Sequence, residues 1–238
     1  MYQGNRVMVG MPAYNEAENI ATAVENFLAQ NTVDEVVVVD NNSSDNTAEL
    51  AEEAGATVVS ETRQGYGYAC QRAFQEMYEH DSDLLVLVEP DGTFVADDIE
   101  KLLSYSSDFD FVVGTRTSPQ LIWEGANMDP FLRWGNWFVG KLVEVLHNTS
   151  NLTDVGCTFR LIKADAYEDI RHRFRIGGSH FSPHMLIEAA REDISMIEIP
   201  VNYRSRKGTS KITGERWPAF KLGLVMIWLV VSEWYSDN

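Results

Sequence analysis

Five short apolar runs punctuate the first half of the chain: Arg6 to Met11, Glu35 to Asp40, Thr57 to Ser60, Leu84 to Glu89 and Phe109 to Gly114. They alternate with stretches of helical character, the pattern of a parallel sheet covered by helices. Val36, Val37, Val38 and Val39 are unbroken rather than alternating, which predicts a central strand buried on both faces. Asn15 and Glu18 are spaced as a capping pair, and apolar residues follow at Ile20, Val24, Phe27 and Leu28, so a helix is predicted from Glu16 to Gln30. A second, from Thr47 to Ala54, closes at Gly55, a residue suited to the left-handed conformation that ends helices. After Gly114 the rhythm changes. A loop rich in Gly, Asn and Pro, Thr115 to Asp129, leads into a helical pattern from Phe131 to Leu146. Strand-like segments at Cys157 to Ile162 and Ser195 to Tyr203 bracket a helix from Pro183 to Arg191. The class is α/β, with a mostly parallel, Rossmann-like sheet flanked by helices.

The last apolar stretch, Ala219 to Val231, is interrupted only by Lys221 and flanked by Trp217, Trp228, Trp234 and Tyr235. It is shorter than the roughly 20 apolar residues that span a bilayer, and Glu233 follows it, so it is not expected to span alone. Aromatic rings at its ends suit a membrane interface; a helix apolar all round equally suits packing on the domain or on a second subunit. Both readings stand at this point. The division expected is a catalytic domain over 1–215 and a C-terminal helix over 216–238.

At 238 residues the chain suits one large domain, and 45% apolar with 23% charged residues is ordinary for a globule. The net charge of -17 repels nucleic-acid phosphates, and no long basic tract reverses it, so nucleic acid is not an expected partner. Cys70 and Cys157 lie far apart and in no metal-binding spacing, which argues against a disulfide framework or a zinc site and fits a reducing compartment. Met1 to Asn5 leads straight into the first run, so no secretory leader is expected.

In an open parallel sheet, ligands sit beyond the carboxyl ends of the strands. Here those ends are polar four times over: Pro12-Ala13-Tyr14-Asn15-Glu16, Asp40 to Asp45, Glu89-Pro90-Asp91-Gly92 and Gly114-Thr115-Arg116. Any one of them is ordinarily a turn or a cap; four together suggest a site. Glu89 and Asp91, two apart, point to one side of an extended strand and suit a hard divalent cation, Mg²⁺ or Mn²⁺. Other patterns fail. Gly65-Tyr66-Gly67 lacks the third glycine of a dinucleotide fingerprint, no phosphate-loop signature exists, and Asp40 to Asp45 lacks the glycine and terminal glutamate of a calcium loop.

Taken together with Arg206-Lys207-Gly208-Thr209-Ser210-Lys211, these strand ends resemble the ordered motifs of family-2 glycosyltransferases of the GT-A fold, from about Arg6 to Ile212. The branch they resemble is that of the dolichol- or polyprenyl-phosphate sugar transferases. The family usually carries Asp-x-Asp where this chain has Glu89-Pro90-Asp91, and often Asp-Asp-Gly-Ser where it has Asp40-Asn41-Asn42-Ser43. The resemblance implies that Pro12, Tyr14, Glu16, Asp40 and Asn42 hold the nucleotide, and that Asp91 with Glu89 holds the metal. Arg206 and Lys211 would face the leaving diphosphate, and Arg116, Arg133 and Arg204 the acceptor phosphate. Asp154, in Asp154-Val155-Gly156-Cys157, matches the segment where a general base is sought, its alternative being a structural carboxylate paired with Arg160 or a loop amide. The activity implied is inverting transfer of a sugar from a UDP- or GDP-sugar to a polyprenyl or dolichyl phosphate, at the cytoplasmic face of a membrane. The alternatives are transfer to a saccharide hydroxyl and a non-catalytic membrane assembly subunit. Homo-oligomerisation is left open.

Overall fold

Every residue of the first run is buried from Val7 to Ala13 (β1), as a strand covered on both faces requires. In the computed structural model, which describes residues 1–206 and 216–237, β1 lies between Glu35–Asp40 (β2) and Leu84–Leu87 (β4), parallel to both. β2 pairs in parallel with Thr57–Ser60 (β3). Beyond β4 one strand reverses: Arg160–Lys163 (β6) runs antiparallel to β4 and to Phe111–Thr115 (β5). Met196–Pro200 (β7) then pairs in parallel with β5. The seven-stranded order is β3-β2-β1-β4-β6-β5-β7.

The two-residue period of the strands sorts their side chains into two cores. Val7, Val9, Val36 and Val38 face one core with Ile20–Leu28 (α1), Thr47–Glu53 (α2) and Ile99–Tyr105 (α4). Met8, Val37 and Val39 face the other, covered by Tyr66–Glu79 (α3), Pro130–His147 (α5), Ala164–Arg171 (α6), Phe181–Arg191 (α7) and Arg216–Asp237 (α8). α3 lies so close to β1 that a Cβ on Gly10 would come within 2.9 Å of both the Ala73 Cβ and the Met77 methyl.

Several elements differ from the reading of the sequence. α1 starts at Ile20, not Glu16, and Asn15 caps nothing: its φ is 54° and its Oδ1 accepts from the Ser44 amide at 2.7 Å. The predicted strand from Cys157 begins only at Arg160, because 155–158 folds around the Arg160 guanidinium. That side chain is 1% exposed and donates to the carbonyls of Val155 (2.9 Å), Cys157 (2.7 Å) and Ser182 (2.7 Å), and among the described residues it pairs with no carboxylate, Asp154 included. Helices α3, α4 and α6 were not anticipated, although Ala69, Cys70, Ala73, Phe74 and Met77 carry a clear helical spacing.

α8 is longer than the apolar run that predicted it, and Trp217–Ser236 is long and apolar enough, by length and composition, to cross a membrane. Its inner side nevertheless packs on the domain through Met226, Leu229 and Val230. Glu233, 5% exposed, pairs with Arg191 (2.9 Å) and with Arg175. Its outer side leaves Trp217, Phe220, Leu224 and Trp228 exposed. Of the two readings of this segment, packing on the domain describes its inner side.

Two predictions follow from the core. Arg160→Met takes the guanidinium donor from the buried carbonyls of Val155 and Cys157 and a second donor from that of Ser182 in the first turn of α7, and should lower the unfolding free energy by about 3 kcal/mol, measured by urea denaturation. His184, with no exposure, sits 3.3 Å from the Arg173 carbonyl, and burial pulls its imidazole down to about 4. An unfolded-chain histidine titrates near 6.5, so between about 6.5 and 4 only the unfolded chain takes up that proton, and stability present above the window is lost as pH falls through it. From pH 7 to pH 5 the stability of His184→Gln should therefore drop by about 2 kcal/mol less than that of the wild type.

Candidate functional site

The carboxyl ends of β1 and β4 open into a cleft of about 950 Å³. Its polar end is built from the segment after β1 (Pro12, Tyr14, Glu16), the segment after β4 (Glu89, Pro90, Asp91), Arg116 after β5, and Tyr203 and Arg206 after β7. The segment after β1 is held by that after β2: the Asn15 amide donates to Ser43 Oγ at 3.0 Å and the Glu16 amide to Thr47 Oγ1 at 2.9 Å. Asp91, 5% exposed, is fixed by its own turn, its Oδ1 accepting from the Thr93 amide (3.0 Å) and hydroxyl (2.6 Å).

Three carboxylates, Glu16, Glu89 and Asp91, share this end of the cleft. Arg206 lies across two of them, with Nη1 3.2 Å from Asp91 Oδ2 and Nη2 donating to Glu16 Oε1. Among the described residues none hydrogen-bonds to Glu89. Its burial, and then the neighbouring Asp91 charge, push its carboxyl up to about 7, against the pull of Arg116 and Arg206. A carboxylate pair so burdened suits a divalent cation. Mg²⁺ and Mn²⁺ accept oxygen ligands and are commonly held by one or two carboxylates plus substrate phosphates. Among the described residues no group of three His, Cys, Asp or Glu side chains gathers to hold an ion unaided.

Arg116 forms the opposite wall. Its Nε donates to Asp154 Oδ2 at 2.8 Å and its Nη2 to Oδ1 at 2.9 Å, while its own amide donates to Oδ2 at 2.9 Å. Asp154 has no exposure, does not line the cleft, and takes a fourth bond from the Gly156 amide at 3.1 Å. A Cβ on Gly156 would sit 3.1 Å from Arg116 Nη2 and 2.9 Å from Asn136 Oδ1, so a bare backbone there makes room for the guanidinium.

The other end of the cleft is apolar. Phe131, Trp134 and Phe138 of α5 face Phe220, Leu224 and Ile227 of α8 across it, and several of these rings are half exposed to solvent. The sequence carried the signal, aromatic residues at 131, 134 and 138 on one helical face, but without a partner helix it read as ordinary amphipathicity. Tyr203 and Tyr66, both lining the cleft, were not singled out either.

The structure does not bring all expected residues to the cleft. Asp40 lies at the end of β2 outside the lining and accepts from the Ser43 amide at 3.3 Å. Asn42 is exposed, with φ 60°, and donates to the Thr62 carbonyl at 3.0 Å; it is Asn41 that lines the cleft while tying the second and third strand ends together. Arg133 and Arg204 do not line it, the latter lying 4.3 Å from the centre of the Trp123 ring. Lys207 and Lys211 lie outside the described residues.

Comparison with known proteins places this geometry. Low-salt glycan biosynthesis hexosyltransferase Agl6 of Haloferax volcanii is 30% identical over 211 residues, 86% of this chain but 49% of that protein, so the chain spans about half that relative's length. Dolichyl-phosphate hexose transferase of the same organism is 30% identical over 216 residues, 89% of this chain and 88% of that protein. Glucosyl-3-phosphoglycerate synthase from Mycobacterium tuberculosis, crystallised with Mn²⁺, UDP and glucosyl-3-phosphoglycerate, shares the fold at a TM-score of 0.72 and 16% identity, over 97% of this chain and 80% of that one. This is the GT-A architecture expected from the strand-end motifs. The model of "Glycosyl transferase family 2" matches residues 8–171, and the chain belongs to that family.

Proposed function

We propose that the protein transfers a sugar, with inversion, from a nucleotide-diphosphate sugar to a polyprenyl or dolichyl phosphate at a membrane surface. One observation carries this reading: the end of the cleft bearing carboxylates and arginines runs without a break into a trough walled by aromatic and aliphatic side chains of α5 and α8. A soluble saccharide has no use for such a trough, whereas a lipid phosphate needs a charged end and an apolar end in one cleft. The exposed rings of both helices are of the kind that sit at a bilayer interface. A homologue named dolichyl-phosphate hexose transferase, matched over most of both chains, supports the same acceptor class.

In this reading Pro12, Tyr14 and Glu16 hold the nucleotide against the end of β1. Glu89 and Asp91 hold a divalent cation, which when bound neutralises charge on the donor diphosphate. Arg206, already placed between Glu16 and Asp91, exchanges those carboxylates for the diphosphate as the donor enters, and Lys211 adds a second positive charge. Arg116 faces the acceptor phosphate. An acceptor phosphate oxygen attacks the anomeric carbon as the bond from that carbon to the diphosphate breaks, and the nucleoside diphosphate leaves. The acceptor is already anionic, so no carboxylate needs to take a proton. Asp154, saturated by Arg116 and Gly156, then acts by holding Arg116 rather than as a base.

Three outcomes test this. Incubated with UDP- and GDP-sugars, Mg²⁺ or Mn²⁺ and a polyprenyl phosphate, the protein should give a lipid-phosphate sugar, and Asp91→Ala or a chelator should reduce the rate at least about 100-fold. Asp154→Asn should keep measurable turnover, losing roughly 10-fold, where loss of a base would cost about 10²–10⁴. Trp134→Ser with Phe138→Ser should raise KM for a long polyprenyl phosphate about 10-fold and leave donor binding unchanged. Transfer to a saccharide hydroxyl with none to the lipid phosphate would sink the acceptor assignment.

A further inference from the structure

β7 carries an acid where a core strand calls for an apolar residue. Ile197 and Ile199 point into the core shared with α1 and α4, and the alternate positions, Met196 and Glu198, face the side of α5 and α7. Glu198 is half-buried, and burial raises its carboxyl. It nevertheless receives a dense set of donors from one short segment. The Thr153 amide reaches both its oxygens at 2.9 Å, the Thr153 hydroxyl reaches Oε2 at 2.6 Å, and the Asp154 amide reaches Oε1 at 2.7 Å.

Thr153 then ties this anchor to the segment that bears Arg116. Its hydroxyl lies 3.0 Å from that of Thr115 and 2.7 Å from that of Thr117, which are themselves 2.9 Å apart. The two residues flanking Arg116 are thus bonded to Thr153, and Arg116 itself is bonded to the next residue, Asp154. The hydrogen bonds that aim the Arg116 side chain, apart from its packing 5.2 Å from the centre of the Tyr203 ring, run through 153–154, and the amides of 153 and 154 are held by Glu198. Side chains that aim a functional group are set by such supporting bonds.

We propose that Glu198 is a positioning residue for Arg116, acting through the three threonine hydroxyls and Asp154 to aim the guanidinium into the cleft at an anionic group of the substrate. The assignment of that group to the acceptor phosphate rests on the function proposed above; the positioning itself does not.

The test has a structural arm and a kinetic arm. In the wild type the Arg116 Nε–H, buried against Asp154, should exchange slowly with solvent by NMR. In Glu198→Ala it should exchange at least about 10-fold faster, and in Glu198→Gln it should stay slow, because the amide oxygen still accepts both backbone N–H groups and the amide nitrogen can donate to the Thr153 hydroxyl. In the kinetic arm Glu198→Ala should raise the KM for polyprenyl phosphate about 10-fold with the UDP or GDP dissociation constant unchanged, and Glu198→Gln should restore it. Thr117→Val, which removes one hydroxyl of the network, should move both readouts part of the way and serves if Glu198→Ala does not fold. Unchanged protection of Arg116 Nε in Glu198→Ala, or in Thr117→Val where that serves, overturns the proposal, as does a Gln variant no better than the Ala variant. Faster exchange in a series whose wild type gives no lipid product would leave the positioning standing and overturn the acceptor reading instead.

Discussion

Like charges gathered at the edge of a sheet repel one another, and the site is organised around that repulsion. The parallel arrangement of β1, β2 and β4 brings their carboxyl ends to one side, and the residues there include Glu16, Glu89 and Asp91. In a low-dielectric cleft such a group is stable only if cations are delivered to it. The fold delivers them from later in the chain, Arg206 from beyond β7 and Arg116 from the end of β5. The carboxylates of the cleft floor come from the first 91 residues and their compensating charge from the remainder, so neither part has a balanced site alone.

The reversal of β6 is what makes that delivery possible. By inserting an antiparallel strand between β4 and β5, the chain places a second set of loops next to the first. The loop before β6, 153–158, is pinned from both sides: Glu198 of β7 takes its amides at 153 and 154, and Arg160 takes the carbonyls of Val155 and Cys157. A loop held by a buried anion at one end and a buried cation at the other has little freedom, and it is this loop that carries the partner of Arg116.

Much of this was legible in the residues and some was not, for physical reasons. Buried parallel strands announce themselves by unbroken apolar runs, so β1 and β2 were plain. The polar strand ends of β1 and β4 marked the cleft floor because Asp, Asn and Glu have no packing reason to cluster there. α3 is masked in the sequence by its opening glycines, which suggest a loop; Gly65 and Gly67 serve instead to admit the Gly177 and Ile176 carbonyls, 2.4 and 2.3 Å from where side chains would begin. The family resemblance points to Asn42 as the ligand-facing residue, whereas Asn41 turns inward; which of two adjacent asparagines does so depends on a left-handed backbone at 42 that composition does not reveal. Glu198 had a visible signal, an acid at a core-facing position in Met-Ile-Glu-Ile, but its meaning depends on Thr153, 45 residues earlier.

The polar anchor of α8, Glu233 against Arg175 and Arg191, lies near its C-terminal end, while Trp217 at the other end is 64% exposed. About 25 Å of helix separates this clamp from the exposed tip, with the buried Met226, Leu229 and Val230 between them. The side chains that shape the trough between α5 and α8 are different from those that form the floor at Glu89 and Asp91, so the gauge of what enters is set separately from the geometry of what reacts.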